Sequence, residues 1–452
     1  MANDLKKFKL NAAIFLSSSA LIWLVVYSII LTLSGFRILS PGFLADLSFL
    51  SYGRLDSASS FILQYGFLVQ FGLAVMASIF CLRGNTVLVD KGFVYIGGII
   101  WNLGVTIGLI GILTGQASGL SGLQMPSQSI PVLIVGFILV SLSLIQTNNR
   151  RSDGEMMPEN WFFLISTLWF PWILGGAYVL LYIKDVNGVL SNIVDWWFIN
   201  NFYKIYLTFV SIGILLHFIN ILLGAKISRM HVIASIWILL LSGSIGGVSP
   251  GAPVPAWMPA LSTVMSVFYF FGIIILLKSI YDSIKNSKPL KSVNVFTYSF
   301  LYFSIGIFAL VSILNFIFSF PFFGRIAEFT FFVPSVEKLF LLGFCGTSML
   351  LAYTYVTQNF TKLDIKINNY KYLTILFILG VLLSTIPSAI TGLLSGDGTL
   401  TSGLFFVSIG NSMVMLGSIL VFFNLLKLLY LSFIDCDCIY LLIGKKGGID
   451  KA

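Results

Sequence analysis

Charge is scarce in this sequence. Asp, Glu, Lys and Arg make up 10% of 452 residues, against about 25% in ordinary soluble domains. No stretch is polar enough and long enough for a water-soluble domain or a disordered linker, which excludes both. Histidine occurs twice, at His217 and His231, and cysteine four times, at Cys81, Cys345, Cys436 and Cys438. Two imidazoles cannot supply a metal centre that needs three. Cys81 and Cys345 fall in or beside apolar runs, where a thiol packs as a small hydrophobe. Cys436 and Cys438 form one C-x-C without a second ligand pair, so reduced thiols are expected there rather than a metal site.

What is present is overwhelmingly apolar: 58% hydrophobic residues and a mean hydropathy of +0.98. Twelve apolar runs, each long enough to cross about 30 Å of hydrocarbon, lie near 11-34, 60-82, 92-114, 129-147, 160-183, 196-223, 232-247, 256-280, 294-320, 333-356, 371-394 and 402-430. They are continuously apolar rather than alternating, which predicts helices and not barrel strands. The expected architecture is therefore an all-α polytopic membrane bundle, one twelve-helix domain over 1-430 with a short tail over 431-452. The first run is too long for a signal peptide and has no small-residue cleavage site, so it is read as a retained span.

A net charge of +9 raises the question of nucleic acid, and the placement of the basic residues answers it. With twelve spans, only Arg37, Arg54, Lys184 and Arg325 of the 26 basic residues fall in loops on the side opposite the termini, while Lys204 and Lys338 lie inside spans. The remainder is dispersed over short loops on the side of the termini. That is the positive-inside pattern, which predicts both termini in the cytoplasm, and not a nucleic-acid footprint. Two loops differ from the rest. Gly243 to Pro255 is rich in Gly and Pro and is expected to turn on the outer face, whereas Thr147 to Glu155 is a hydrophilic connector. Gly97, Gly98, Gly104, Gly108 and Gly111 in the third span permit close helix approach.

Several short motifs share a source. Asp195-Trp196-Trp197-Phe198-Ile199-Asn200-Asn201 resembles the W-W-Y-G-H-N of one helix in haem-copper oxidase catalytic subunits, nearest to the cbb-type cytochrome c oxidases and nitric oxide reductases. Tyr52-Gly53-Arg54-Leu55-Asp56-Ser57-Ala58-Ser59 is similar to that family's F-G-R-L-R-P-x-H, and Asn160-Trp161-Phe162-Phe163-Leu164 to its N-W-F-Y-L. Gly243-Ser244-Ile245-Gly246 stands where the family has G-P-H-H, and Pro255-Ala256-Trp257 resembles its P-D-W. Phe329-Thr330 and Gly343-Phe344 frame the place of its H-V-H, which here reads Val336-Glu337-Lys338.

The resemblance implies haem b and copper, but at every expected ligand the residue type is wrong. By the resemblance, one axial ligand of the low-spin haem falls on Ser59 and one axial ligand to each haem on the Val336-Lys338 triplet, the copper ligands on Asn200, Ile245 and Gly246, and the active-site tyrosine near Leu239. Serine, valine and asparagine are not axial donors for haem iron. His217 lies 17 residues beyond Asn200 on the same run, about 25 Å deeper, and is expected as a hydrogen-bonded core histidine or a proton relay. His231 is expected as an interfacial cap.

Four ionisable residues remain near the ligand positions: Asp56, Lys204, Glu337 and Lys338. Such groups in a span suggest function by default, here a polar cluster lining a solute or quinone cavity. A plainer expectation pairs Lys338 with Asp56 or Glu337 and lets Lys204 snorkel outward. The sequence thus points to a cofactor-free, non-catalytic subunit of a respiratory complex in the bacterial inner membrane, with the lipid bilayer and a membrane-anchored c-type cytochrome or other respiratory subunit as partners. A secondary transporter or channel, and an electron-transfer subunit whose cofactors sit on partner chains, are the alternatives.

Overall fold

The computed structural model describes residues 11–152, 156–225, 227–248, 251–285, 287, 295–359, 367–394 and 399–434. These form helices joined by short loops: α1 Asn11–Leu39, α2 Tyr52–Gly84, α3 Lys91–Thr114, α4 Ser129–Asn149, α5 Pro158–Ile183, α6 Val189–Leu223, α7 Arg229–Ser244, α8 Trp257–Lys285, α9 Val295–Phe318, α10 Phe332–Thr357, α11 Ile367–Leu394 and α12 Thr399–Ile434. No strand occurs among the described residues. Eleven of these helices are long and apolar enough to cross a membrane. Cys436, Cys438 and the tail beyond Ile434 lie outside the described residues.

Each expected span falls on a helix, and three boundaries differ for physical reasons. The seventh, expected over 232-247, is the 16-residue α7, about 24 Å long and short of a full crossing. Its end is set by Gly246 and Gly247, whose φ of 145° and 87° no helix accommodates. Helices α2 and α6 begin seven or eight residues before their apolar runs, because Tyr52–Ser59 and Val189–Asp195 are polar enough to lower hydropathy but remain helical.

Helices α2, α6 and α10 are the centre of the bundle: each has a window of 83–89% buried residues, whereas the other eight long spans stand at 28–50%. Surrounding helices approach through small residues, as lipid-embedded packing requires. A Cβ on Gly97 of α3 would stand 2.8 Å from the Gly136 carbonyl of α4, and one on Gly108 would stand 2.3 Å from the Phe61 ring of α2. Aromatic rings fill the space left between backbones. Phe198, Phe202 and Tyr206 stack down one face of α6 at 5.6 and 5.7 Å, with Tyr65 of α2 stacked on Phe202.

The three central helices share a second feature. Each widens into π-helical turns just after an expected ligand position: Ile62–Val69 after Ser59, Phe202–Leu207 after Asn200, and Leu339–Gly346 after Lys338. A fourth such stretch, Val179–Ile183, ends α5. π turns are rare and concentrate at functional sites.

Candidate functional site

Among the expected ligand positions, Asn200 and Gly246 are brought together, and the polar side chains at these positions are hydrogen-bonded within the bundle. The Asn200 side-chain amide donates to the Gly243 carbonyl at 2.6 Å, tying α6 to the end of α7. A Cβ on Gly246 would lie 3.8 Å from the Asn200 amide nitrogen, so these two copper-ligand positions are neighbours. Ile245, which precedes Gly246, is exposed, at 46%. Next to them, the Asn201 amide donates to the Ser244 carbonyl at 3.2 Å and its oxygen accepts from Trp169 Nε1 at 3.1 Å. Asp195, at the head of the same motif, accepts from Ser121 N, Ser121 Oγ and Gly122 N, all at 3.1 Å. Its carboxylate is saturated by a loop and is not available as a ligand.

The haem positions are likewise engaged. Ser59 is buried and its hydroxyl donates to the Asp56 carbonyl one turn back, at 2.9 Å. Val336 is buried apolar. Lys338 donates to Asn411 Oδ1 of α12 at 2.8 Å, and Asn411 in turn bonds the Leu31 carbonyl of α1 at 3.3 Å. Below these positions Tyr203, Phe340, Phe344 and Phe308 run in sequence from α6 through α10 to α9, with centroids 5.8, 5.7 and 4.5 Å apart.

The structure does not gather the four candidate ionisable residues into one cluster. Lys338 takes Asn411 rather than Asp56 or Glu337, and neither carboxylate forms an ion pair among the described residues. Both carboxylates are exposed. Lys204 does not snorkel: it lies 5.4 Å over the Tyr269 ring of α8 and 3.5 Å from Ser266 Oγ, while its carbonyl accepts from Tyr269 Oη at 2.7 Å. The Lys338–Asp56 pairing expected from sequence persists as an electrostatic interaction without a contact ion pair, while Lys204 packs on Tyr269 instead of reaching outward.

The helices that carry these contacts belong to a known architecture. A haem-copper terminal oxidase solved as a dimer by cryo-electron microscopy superposes with a TM-score of 0.73 at 12% identity, covering 94% of this chain and 84% of that one. The fold is that of a haem-copper oxidase subunit. No family model matches the sequence, and no curated protein does.

The haem-copper oxidase fold normally carries haem and copper, and the donors present here do not fit either. Copper would need imidazoles where an amide already bonded to a carbonyl, an exposed isoleucine and a glycine stand. Haem iron would need strong axial donors where a self-bonded serine hydroxyl, a valine and a hydrogen-bonded ammonium stand. No group of three His, Cys, Asp or Glu suited to a metal occurs among the described residues.

Sequence reasoning missed a cluster at the opposite end of the haem-copper oxidase frame, where the basic loops lie. Arg83 Nε, at the end of α2, stands 2.9 Å from Glu159 Oε1 at the start of α5, yet its N–H points to His217 Nδ1 of α6 at 3.2 Å. The arginine–glutamate contact is thus ionic rather than a directed hydrogen bond. Because Nδ1 accepts, donor logic assigns the imidazole proton to Nε2. Glu159 and His217 are each 2% exposed, and Arg83 Nη2, Asn160 Oδ1 and Glu159 Oε1 have no hydrogen-bond partner. His217 is therefore the core histidine expected, but in a charged setting. An acidic residue directly before a span on the basic side, Pro158-Glu159-Asn160, was the available signal.

Proposed function

We propose that this chain is a cofactor-free subunit with the haem-copper oxidase fold, structural or assembly-related, in a respiratory complex of the bacterial inner membrane, with its basic face and both termini in the cytoplasm. The observation that carries this reading is the engagement of the ligand positions in packing: Asn200 on Gly243, Ser59 on its own helix and Lys338 on Asn411. A frame kept without its donors serves association better than oxygen chemistry. By its resemblance to cbb-type oxidases, the natural partners are a membrane-anchored c-type cytochrome or another oxidase-like subunit. The test is an optical spectrum with metal analysis of the purified protein, followed by identification of co-purifying chains. Absence of a Soret band together with a co-purifying cytochrome is expected. Stoichiometric iron with a Soret band overturns the proposal.

A further inference from the structure

Arg83, Glu159 and His217 come from three helices, α2, α5 and α6. Arg83 Nε lies 2.9 Å from Glu159 Oε1 and 3.2 Å from His217 Nδ1, and Nδ1 lies 3.6 Å from the same carboxylate oxygen. The N–H at Arg83 Nε goes to the imidazole, so that bond lasts only while Nδ1 carries a lone pair. Imidazole protonation falls within the ordinary range of biological pH. A proton arriving at Nδ1 turns this nitrogen into a donor. The Arg83 bond is then lost, and the new N–H faces Glu159 Oε1, which has no hydrogen-bond partner. Two cations would share one carboxylate in a low-dielectric interior. The side chains of Glu159 and His217 are 3% exposed and that of Arg83 is 20% exposed, and Arg83 Nη2 has no partner to hold it. Arg83 is therefore the member that can leave, toward water at the basic face. The exchange keeps the buried charge constant, one cation against one carboxylate before and after.

The other groups around the triad do not compete for the proton. Among the described residues, Glu159 and Arg83 are the charges that act on His217. Helix α5 adds the Asn160 amide, and the α4–α5 connection adds Arg151, whose Nη1 donates to the Asn148 carbonyl at 3.3 Å. Helix α10 brings Tyr355 against Phe218, with centroids 5.2 Å apart, and α9 brings Tyr298, which donates to the Leu222 carbonyl at 3.1 Å. Lys91 at the start of α3 acts on Cys81, and Lys278 and Asp282 of α8 line a cavity with Gly224, about 10 Å beyond His217 along α6. What Arg83 holds is the end of α2. The next residue, Gly84, accepts from Ser152 N at 3.0 Å and Ser152 Oγ at 3.1 Å, and Asn85 closes the helix with a φ of 46°. We propose that this triad is a pH-operated latch: protonation of His217 at Nδ1 replaces Arg83 by the imidazolium as counterion of Glu159, releases the Arg83 side chain to the basic face and loosens the end of α2.

Because the chain has only two histidines, the test is direct. Isotope-labelled histidine NMR of the full-length protein in lipid nanodiscs, followed from about pH 7.5 to about pH 5, reads the protonation of His217 against that of the exposed His231. Amide hydrogen exchange of the same sample, with times scaled for the intrinsic effect of pH, reads the end of α2. At neutral pH, His217 is expected to carry hydrogen on Nε2 alone. On acidification it is expected to gain one on Nδ1, while the amides of residues 83–90 exchange about threefold faster or more. His217→Asn keeps an acceptor for Arg83 but cannot take the proton, so its 83–90 segment is expected to exchange at the neutral rate throughout. An unsubstituted protein whose His217 stays neutral down to about pH 5, or titrates with no change in the 83–90 segment, overturns the proposal. So does a pH response that survives in His217→Asn. The first two outcomes are read on the unsubstituted chain, so they decide the matter even if the variant fails to fold.

Discussion

The two ends of the central helices carry opposite kinds of polarity. At the ligand-frame end, Asn200, Ser59 and Lys338 each hydrogen-bond one neutral group, and the exposed carboxylate of Asp56 acts on Lys338 without a contact ion pair. At the basic end, an arginine, a glutamate and a histidine are packed together with several polar atoms unpaired. The polar residues at the expected ligand positions are thus hydrogen-bonded to neutral groups and form no contact ion pair among the described residues. A polar group in a low-dielectric interior is most costly when half satisfied, so the basic end is where substitution should be felt most.

Four variants would break or sharpen that contrast, each read as loss of thermal or denaturant stability in detergent. The largest effect belongs to Glu159→Ala, which leaves Arg83 and its half-buried charge facing a neutral imidazole; about 3–5 kcal/mol is expected, with much of it recovered in the Arg83→Met/Glu159→Leu double variant. A loss below about 1 kcal/mol would remove the distinction between the ends. Next, Asn200→Ala strips the donor from the buried Gly243 carbonyl and opens the seam between α6 and α7, for about 2 kcal/mol. Lys338→Met orphans Asn411 Oδ1 and should cost about 1–2 kcal/mol, with Lys338→Met/Asn411→Leu close to neutral. Smallest is Ser59→Ala: its hydroxyl serves only its own helix, so a change beyond about 0.5 kcal/mol would indicate a partner outside this chain. If any one of the three frame variants costs more than Glu159→Ala, the frame is the more demanding end after all.

The sequence made the bundle legible because period and length suffice for spans: continuous apolar runs have one stable form in lipid. It made the frame legible through local motifs, since Asn200 and Gly246 do meet. Partner choice was not legible. Lys338 selects Asn411, 73 residues away, and Lys204 selects Tyr269, 65 residues away, and no local pattern encodes such distances. The Arg83–Glu159–His217 cluster was missed for a related reason: hydropathy assigns Arg83 and Glu159 to loops, although the helix ends that carry them are buried against α6. The shortness of α7 was missed because apolar residues continue past the point where Gly246 and Gly247 break the helix.

The π turns below Ser59, Asn200 and Lys338 carry a last consequence. Each takes more residues per turn than the α-helix around it, so it works as a phase shift between the upper and lower halves of its helix. The π turns themselves present Tyr203, Phe340 and Phe344 toward one another, and the helix on either side takes its own rotation. Two surfaces that would otherwise be locked to a single rotation are thereby uncoupled, and one of them could lose its donors without disturbing the packing of the other.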